Sequence, residues 1–208
     1  MPSRGGGRVT PSIRLATADD AAAVAEIYAP VVRESVVSFE TDPPTTEEIA
    51  DRIRATTTRY PWLVCEHDGS VLGYAYASQH RSRDAYRWSV DVSVYVAERA
   101  RRSGVGRGLY ESLFETLRLQ GFYNAYAGIA LPNRASVGLH ESLGFEPVGV
   151  YRSVGYKHGA WHDVGWWQLE LADRPTPPDP PREFGRVCAD SRFDAALTTG
   201  DAHVRSTD

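Results

Sequence analysis

Hydrophobic and polar positions change period several times along the chain. Ile13-Arg14-Leu15 is a short first strand. Thr17-Ala18-Asp19-Asp20 then opens a helix, with Thr17 as N-cap and Asp20 in the capping-box position. Val24, Ile27, Tyr28 and Val31 form its buried stripe, and Pro30 is expected to end or kink it. Asp42-Pro43-Pro44 marks a turn, after which Thr45–Ile49 starts a second helix that turns Ile49 and Ile53 inward. The period then falls to two. Trp62–Glu66 and Val71–Ser78 read as strands joined by the hairpin signal His67-Asp68-Gly69-Ser70. Trp88–Val96, strictly alternating at its end and rich in β-branched residues, follows the polar segment Gln79–Arg87 as a central strand. Val105, Leu109, Leu113 and Leu117 recur every four residues, with Phe114 beside them, and predict an amphipathic helix ending at Gly121. A strand near Ala125–Ala130 and a helix over Asn133–Leu143, stopped by Gly144, come next. Glu146–Tyr156 and Trp161–Leu171 close the pattern as a hairpin. The expected class is α/β: one mixed sheet with helices on both faces.

Composition sets the limits of this domain. A chain of 208 residues, 42% hydrophobic, holds one domain with a substantial core. Met1–Pro11, with three consecutive glycines, reads as a flexible leader (residues 1–11), and the domain spans residues 12–172. From residue 173 the chain turns proline-rich, Arg174-Pro175-Thr176-Pro177-Pro178-Asp179-Pro180-Pro181, which fits an extended segment. Residues 182–208 lack sustained periodicity, so 173–208 is expected to be a mobile tail. A net charge of −4 argues against nucleic acid as a partner. No apolar run approaches the ~18 residues of a membrane span, and Met1–Pro11 lacks a signal-peptide core. Cys65 and Cys188 show neither a disulfide framework nor a metal spacing, so the expected setting is a reducing cytoplasm.

The candidate chemistry centres on Arg101-Arg102-Ser103-Gly104-Val105-Gly106-Arg107-Gly108. Strand, glycine-rich turn and helix leave backbone N–H groups without intrahelical partners at the positive end of a helix dipole, a geometry that attracts phosphate. Glycine admits the ligand close to the backbone, and three arginines add charge. A Walker A loop would need Gly-Lys-Ser/Thr, which is absent, and a dinucleotide fingerprint would sit early in a βαβ unit.

The turn is similar to the coenzyme A pyrophosphate loop of the GNAT superfamily of N-acetyltransferases, Q/R-x-x-G-x-G/A, with Arg101, Gly104 and Gly106 at its defined positions. Further strings resemble the phosphinothricin N-acetyltransferase branch: Tyr60-Pro61-Trp62-Leu63-Val64, Ala85-Tyr86-x-Trp88, Ser93-Val94-Tyr95-Val96 and Leu131-Pro132-Asn133. So do His140-Glu141-x-Leu143-Gly144-Phe145 and Lys157-His158-Gly159-x-Trp161-His162-Asp163-Val164-Gly165. The likeness covers about residues 12–171. It implies the GNAT fold, a mostly antiparallel twisted sheet of six to seven strands with about four helices and a splayed central cleft. It also implies acetyl-CoA as acetyl donor, a small-molecule amine acceptor and a homodimer.

Direct acetyl transfer needs an amine proton removed, a thioester carbonyl polarised and a thiolate reprotonated. Asp91 is the base candidate, sharing a strand face with Ser89, Ser93 and Tyr95. The resemblance places Glu at this position in related enzymes, so the side chain is one methylene shorter and relay through a water gains weight. It places His140 where many GNAT enzymes carry a tyrosine acid; His140 either protonates the thiolate or takes the substrate proton. Val94, Tyr95 and Val96 are expected to pair with the pantetheine arm, a backbone N–H near Val94 serving as oxyanion donor. Arg101, Arg102, Ser103, Gly104, Val105, Gly106 and Arg107 would hold the pyrophosphate, and Asn133 would contact pantetheine or phosphate, cap a helix, or both. Phe39, Arg81, Arg83 and Tyr86 are candidates for the acceptor pocket, the two arginines clamping anionic groups of an amino-acid-like substrate. His158, His162 and Asp163 lack a fourth ligand, so no metal site is expected. Two rival readings stay open: acetylation of another amine (a protein N-terminus, a polyamine or an aminoglycoside), or a non-catalytic acyl-CoA-binding module.

Overall fold

The computed structural model describes residues 10–205; most of the leader, residues 1–9, lies outside them. The strands are β1 (Ser12–Leu15), β2 (Trp62–His67), β3 (Ser70–Gln79), β4 (Ser89–Val96), β5 (Asn124–Leu131), β6 (Glu146–Lys157) and β7 (Ala160–Glu170). They form one sheet in the order β1-β2-β3-β4-β5-β7-β6, with only β4 and β5 parallel. The helices of the domain are α1 (Ala21–Glu34), α2 (Thr46–Thr57), α3 (Val105–Gln120) and α4 (Arg134–Ser142).

The capping signals decide the helix starts. Thr45 accepts from the Glu48 N–H while Glu48 reaches back to the Thr45 N–H. Asp20 does the same for Thr17. α1 runs on to Glu34 with Pro30 inside it, so Pro30 does not end the helix. Pro30 is exposed, which leaves the carbonyl of Glu26 that it cannot pair within reach of water.

The two faces of the sheet are packed differently. Gly73 lies so close to α3 that a Cβ there would come 2.9 Å from Val105 Cγ1. On the opposite face Tyr74 joins Trp62, Tyr76, Tyr95 and, from α1, Tyr28, with ring centroids 4.4–5.7 Å apart along the chain of contacts. The sheet is thus covered by α1 on one side and α3 on the other.

The mobile tail expected from the sequence needs correction beyond residue 182. Phe184–Cys188 (α5), Phe193–Thr198 (α6) and a 3-10 turn over Thr199–His203 fold back onto the domain. Phe184, Val187 and Phe193 are buried together against Leu15 and Leu119. Gly108 of α3 and Gly200 meet backbone to backbone, since a Cβ on Gly200 would overlap the Gly108 carbonyl. Three long-range bonds fix the segment: Gly200 N–H to Ser112 Oγ at 3.0 Å, Ile13 N–H to Asp201 Oδ1 at 2.8 Å, and Arg205 N–H to the Ser103 carbonyl at 2.9 Å. Few apolar residues suffice here because each lands on a surface prepared by α3 and β1, which no local period announces.

Candidate active site

The sheet splits at its centre. β4 pairs with β5 only through Ser89, Val90 and Asp91, opposite Asn124, Ala125 and Tyr126. Beyond Asp91, β4 stays with β3 as far as Val96, while β5 stays with β7 as far as Leu131. The backbone groups of Val92–Val96 that would have bonded β5 therefore face a gap. A small cavity of ≈ 60 Å³ lies there, between Val92–Tyr95 and Ala127–Ala130. It borders a cleft of ≈ 1620 Å³ that runs along Val94–Val96, past Asn133, to Arg99, Arg101, Arg102 and Arg107.

The loop at the far end of the cleft has the backbone that its glycines predict. Arg102 (φ 64°) and Gly104 (φ 89°) are both left-handed, and Gly104 caps α3 without a side chain. The first-turn amides of Val105, Gly106 and Arg107 precede the first intrahelical bond, Gly108 N–H to the Gly104 carbonyl. Arg101 and Arg102 are exposed. Ser103 differs: its buried hydroxyl donates to the Ala100 carbonyl at 2.6 Å, so only its backbone is left for a ligand. The Val105 side chain is likewise buried in the core. Arg107 is held by Glu111 at 3.1 Å and by Ser142 Oγ at 2.9 Å, and it borders the cleft. Asn133 caps α4 by accepting from the Ser136 N–H, and it also borders the cleft.

Asp91 is the last residue of β4 paired before the gap. Its carboxylate accepts at 2.6 Å from Nδ1 of His80, a residue beyond β3 whose ring lies flat on Tyr126 at 4.3 Å. Burial pushes the Asp91 carboxyl above its ordinary pKa, against the opposing pull of His80 and Arg81.

His140 sits on α4 and is buried. Its Nδ1 lies 2.7 Å from the Ser136 carbonyl, so Nδ1 carries the proton and Nε2 accepts from the Tyr110 hydroxyl at 3.0 Å. Burial pulls its pKa down and favours the neutral ring. Tyr110 borders the same small cavity.

The acceptor candidates divide into two groups. Arg81 donates to the His80 carbonyl and lies over the Trp166 ring at 5.7 Å, and the Tyr86 ring is 6.2 Å from His80. Arg83 is exposed and begins the short 3-10 turn Asp84–Tyr86, with no bond that draws it toward Arg81. Phe39 belongs to the β6–β7 hairpin side, against Gly155 and 6.4 Å from His162. Its segment is fixed by Lys157, whose buried Nζ donates to the carbonyls of Val32 (2.6 Å) and Ser38 (2.7 Å). Tyr28 braces the same segment through Ser38 Oγ at 2.7 Å and Glu40 at 2.9 Å.

A sequence profile described as Acetyltransferase (GNAT) domain matches residues 13–166. The chain belongs to the GNAT acetyltransferase family. Phosphinothricin N-acetyltransferase from Streptomyces viridochromogenes is 47% identical to this GNAT chain over 175 residues, 84% of it and 95% of the relative. The L-methionine sulfoximine/L-methionine sulfone acetyltransferase of Salmonella typhimurium is 36% identical, covering 80% of this chain and 98% of its own. A phosphinothricin acetyltransferase structure from Sinorhizobium meliloti, in complex with AcCoA, superposes with a TM-score of 0.77 at 37% identity, over 82% of this chain and 93% of that one.

The residues of this GNAT acetyltransferase suit acetyl-CoA. The cleft joins an open strand edge to a helix start flanked by arginines, matching an amide-bearing arm and a pyrophosphate. Among the described residues, no group of three or more His, Cys, Asp or Glu is placed to hold a metal ion, and no helix is long and apolar enough to cross a membrane. Burial pushes the Cys65 thiol up to about 12, which removes it as an acyl carrier at neutral pH. Two polar groups of the site escaped the sequence reading. Tyr110 looks like part of the α3 stripe, and His80 sits in a segment whose polarity reads as loop.

Proposed function

We propose that the protein is a cytoplasmic N-acetyltransferase that moves acetyl from acetyl-CoA directly onto the amino group of a small L-amino-acid-like acceptor. The acceptor class is that of phosphinothricin and methionine sulfone or sulfoximine. One observation carries the reading: the sheet parts immediately after Asp91, and the gap opened there borders a cleft whose other end is the phosphate-type loop. The names of the relatives support the acceptor class.

In this reading Arg101, Arg102, Arg107 and the amides of 103–107 hold the pyrophosphate, while the free edge of Val94–Val96 pairs with the pantetheine arm. That pairing lays the thioester in the gap, where a backbone N–H near Val94 faces the developing oxyanion. Asp91 drives removal of the ammonium proton, acting through a water or a neighbouring side chain, and the amine attacks the carbonyl carbon. Tyr110, held by His140 at the small cavity, relays the amine's second proton to the departing sulfur, taking up one proton as it gives one. Arg81 and Tyr86 select the acceptor, with Arg83 and Phe39 at its periphery. The acceptor panel is the test. Thiol release from acetyl-CoA should be fastest with phosphinothricin or the methionine analogues, and turnover confined to polyamines, aminoglycosides or peptide N-termini would overturn the assignment.

We further place the protein in a homodimer through β6. This twelve-residue strand is a sheet edge, and Val148, Val150, Tyr151, Val154 and Tyr156 on it are all exposed. A second copy is the occupant that fits, since an apolar edge strand pairs with its own symmetry mate. Light scattering after gel filtration should give twice the monomer mass; a monomer at micromolar concentration would refute the interface.

A further inference from the structure

We propose that His80, oriented by Asp91, is the group that takes the proton from the acceptor amine; the proposal rests on the acetyltransferase reading above. The pair is built by strand register. Ser78 of β3 faces Asp91 of β4, so two residues further on His80 emerges on the same face as the carboxylate. Its ring then reaches across β4 to Tyr126 of β5, the residue that faces Asp91 from the other side. The imidazole is thereby clamped between β3 and β5, with its side chain only 11% exposed.

The hydrogen bond fixes the chemistry of the ring. Nδ1 lies 2.6 Å from Asp91 Oδ1, and an ionised carboxylate only accepts, so the proton sits on Nδ1. The lone pair of neutral His80 is then confined to Nε2. A carboxylate behind Nδ1 also stabilises the imidazolium formed when Nε2 gains a proton. The titratable and charged groups around the ring are Asp91 on β4, Arg81 next in the chain, Tyr86 on the adjoining 3-10 turn and Tyr126 on β5, with Arg174 bearing on Tyr126. Arg81 and Tyr86 are also the residues assigned to the acceptor, so the ring stands among its recognition groups. A side chain one methylene short of glutamate thus gains its reach through an imidazole.

The step balances as follows. The ammonium gives one proton to Nε2 of His80, and imidazolium later releases it to solvent. The amine nitrogen bonds to the thioester carbon, the C–S bond breaks, and the second nitrogen proton ends on the coenzyme A sulfur.

Three measurements on the full chain test this. His80→Gln keeps an N–H for Asp91 but has no basic nitrogen; kcat should fall about 10²–10³-fold, with KM for acetyl-CoA within about twofold. Added imidazole should restore His80→Ala by about tenfold or more, rising with the neutral imidazole fraction. Retention of kcat within about threefold in His80→Gln would overturn the proposal, as would His80→Ala that imidazole leaves unchanged. Nitrogen-15 spectra of histidine-labelled wild-type protein at pH 8 should show His80 with Nδ1 protonated and Nε2 bare. The opposite tautomer would overturn the proposal without reference to turnover. Wild-type protein inactive on every amine would instead count against the acetyltransferase reading.

Discussion

Asp91→Asn lowers kcat by about 10²–10³-fold without lowering the melting temperature at pH 7.5. The loss of rate follows from either path for the proton, because Asn neither takes a proton nor stabilises a charged His80. The stability argument comes from the raised pKa of the carboxyl. A folded-state value above the unfolded 3.8 means that the native protein binds more protons than the unfolded chain, so wild-type stability falls as pH rises from about 3.8 through the folded value. Above that window the full cost of the buried charge remains. Asn removes it and can still accept from His80 Nδ1. The stability difference between variant and wild type should therefore shrink as pH is lowered toward 4. Calorimetry at two pH values, beside steady-state rates, checks both halves. A variant that is inactive and strongly destabilised at pH 7.5 would make Asp91 structural.

Gly104→Ala should raise KM for acetyl-CoA at least tenfold and lower the melting temperature by several degrees. Two costs add. A non-glycine residue at φ 89° is strained by about 1–2 kcal/mol. The new Cβ would also overlap the carbonyl oxygen of His203, which is backbone and has little freedom to move. Relief requires the 203–205 segment to lift, breaking the bond from Arg205 to Ser103 and loosening the loop proposed to hold the pyrophosphate. Saturating cofactor should recover most of kcat, since the split at Asp91 is far along the chain from the loop. Gly138→Ala is the matched control. Gly138 is a helical position in α4 where a Cβ meets nothing, so the substitution should be neutral or slightly stabilising. Equal effects at both positions would discard the role given to the 203–205 segment.

Much of this site is written locally. The alternation through Val96, the glycines at 104 and 106 and the Leu stripe behind them each encode a local geometry, and these geometries compose into strand, loop and helix without distant help. Asn133 was legible for the same reason, since an N-cap signals its own helix. The His80–Asp91 pair was not, because it depends on the register between two strands and on where β5 leaves the sheet. Nothing in Gln79–Arg87 carries that information. The C-terminal helices were hidden more deeply. Gly200 bonds a serine 88 positions away and Asp201 an amide 188 positions away, so short segments of poor intrinsic propensity are held by partners that only the assembled fold supplies.

The closeness of His203 and Arg205 to the Ser103–Gly104 turn bears on how the protein is handled. A purification handle fused beyond Arg205 would pull on the segment under the Ser103–Gly104 turn, and one fused just before Ser12 would act beside Ile13, which bonds the same segment through Asp201. Trimming by carboxypeptidase should likewise proceed more slowly once nucleotide fills the cleft, because unravelling the last turn then means loosening a grip already engaged from the other side.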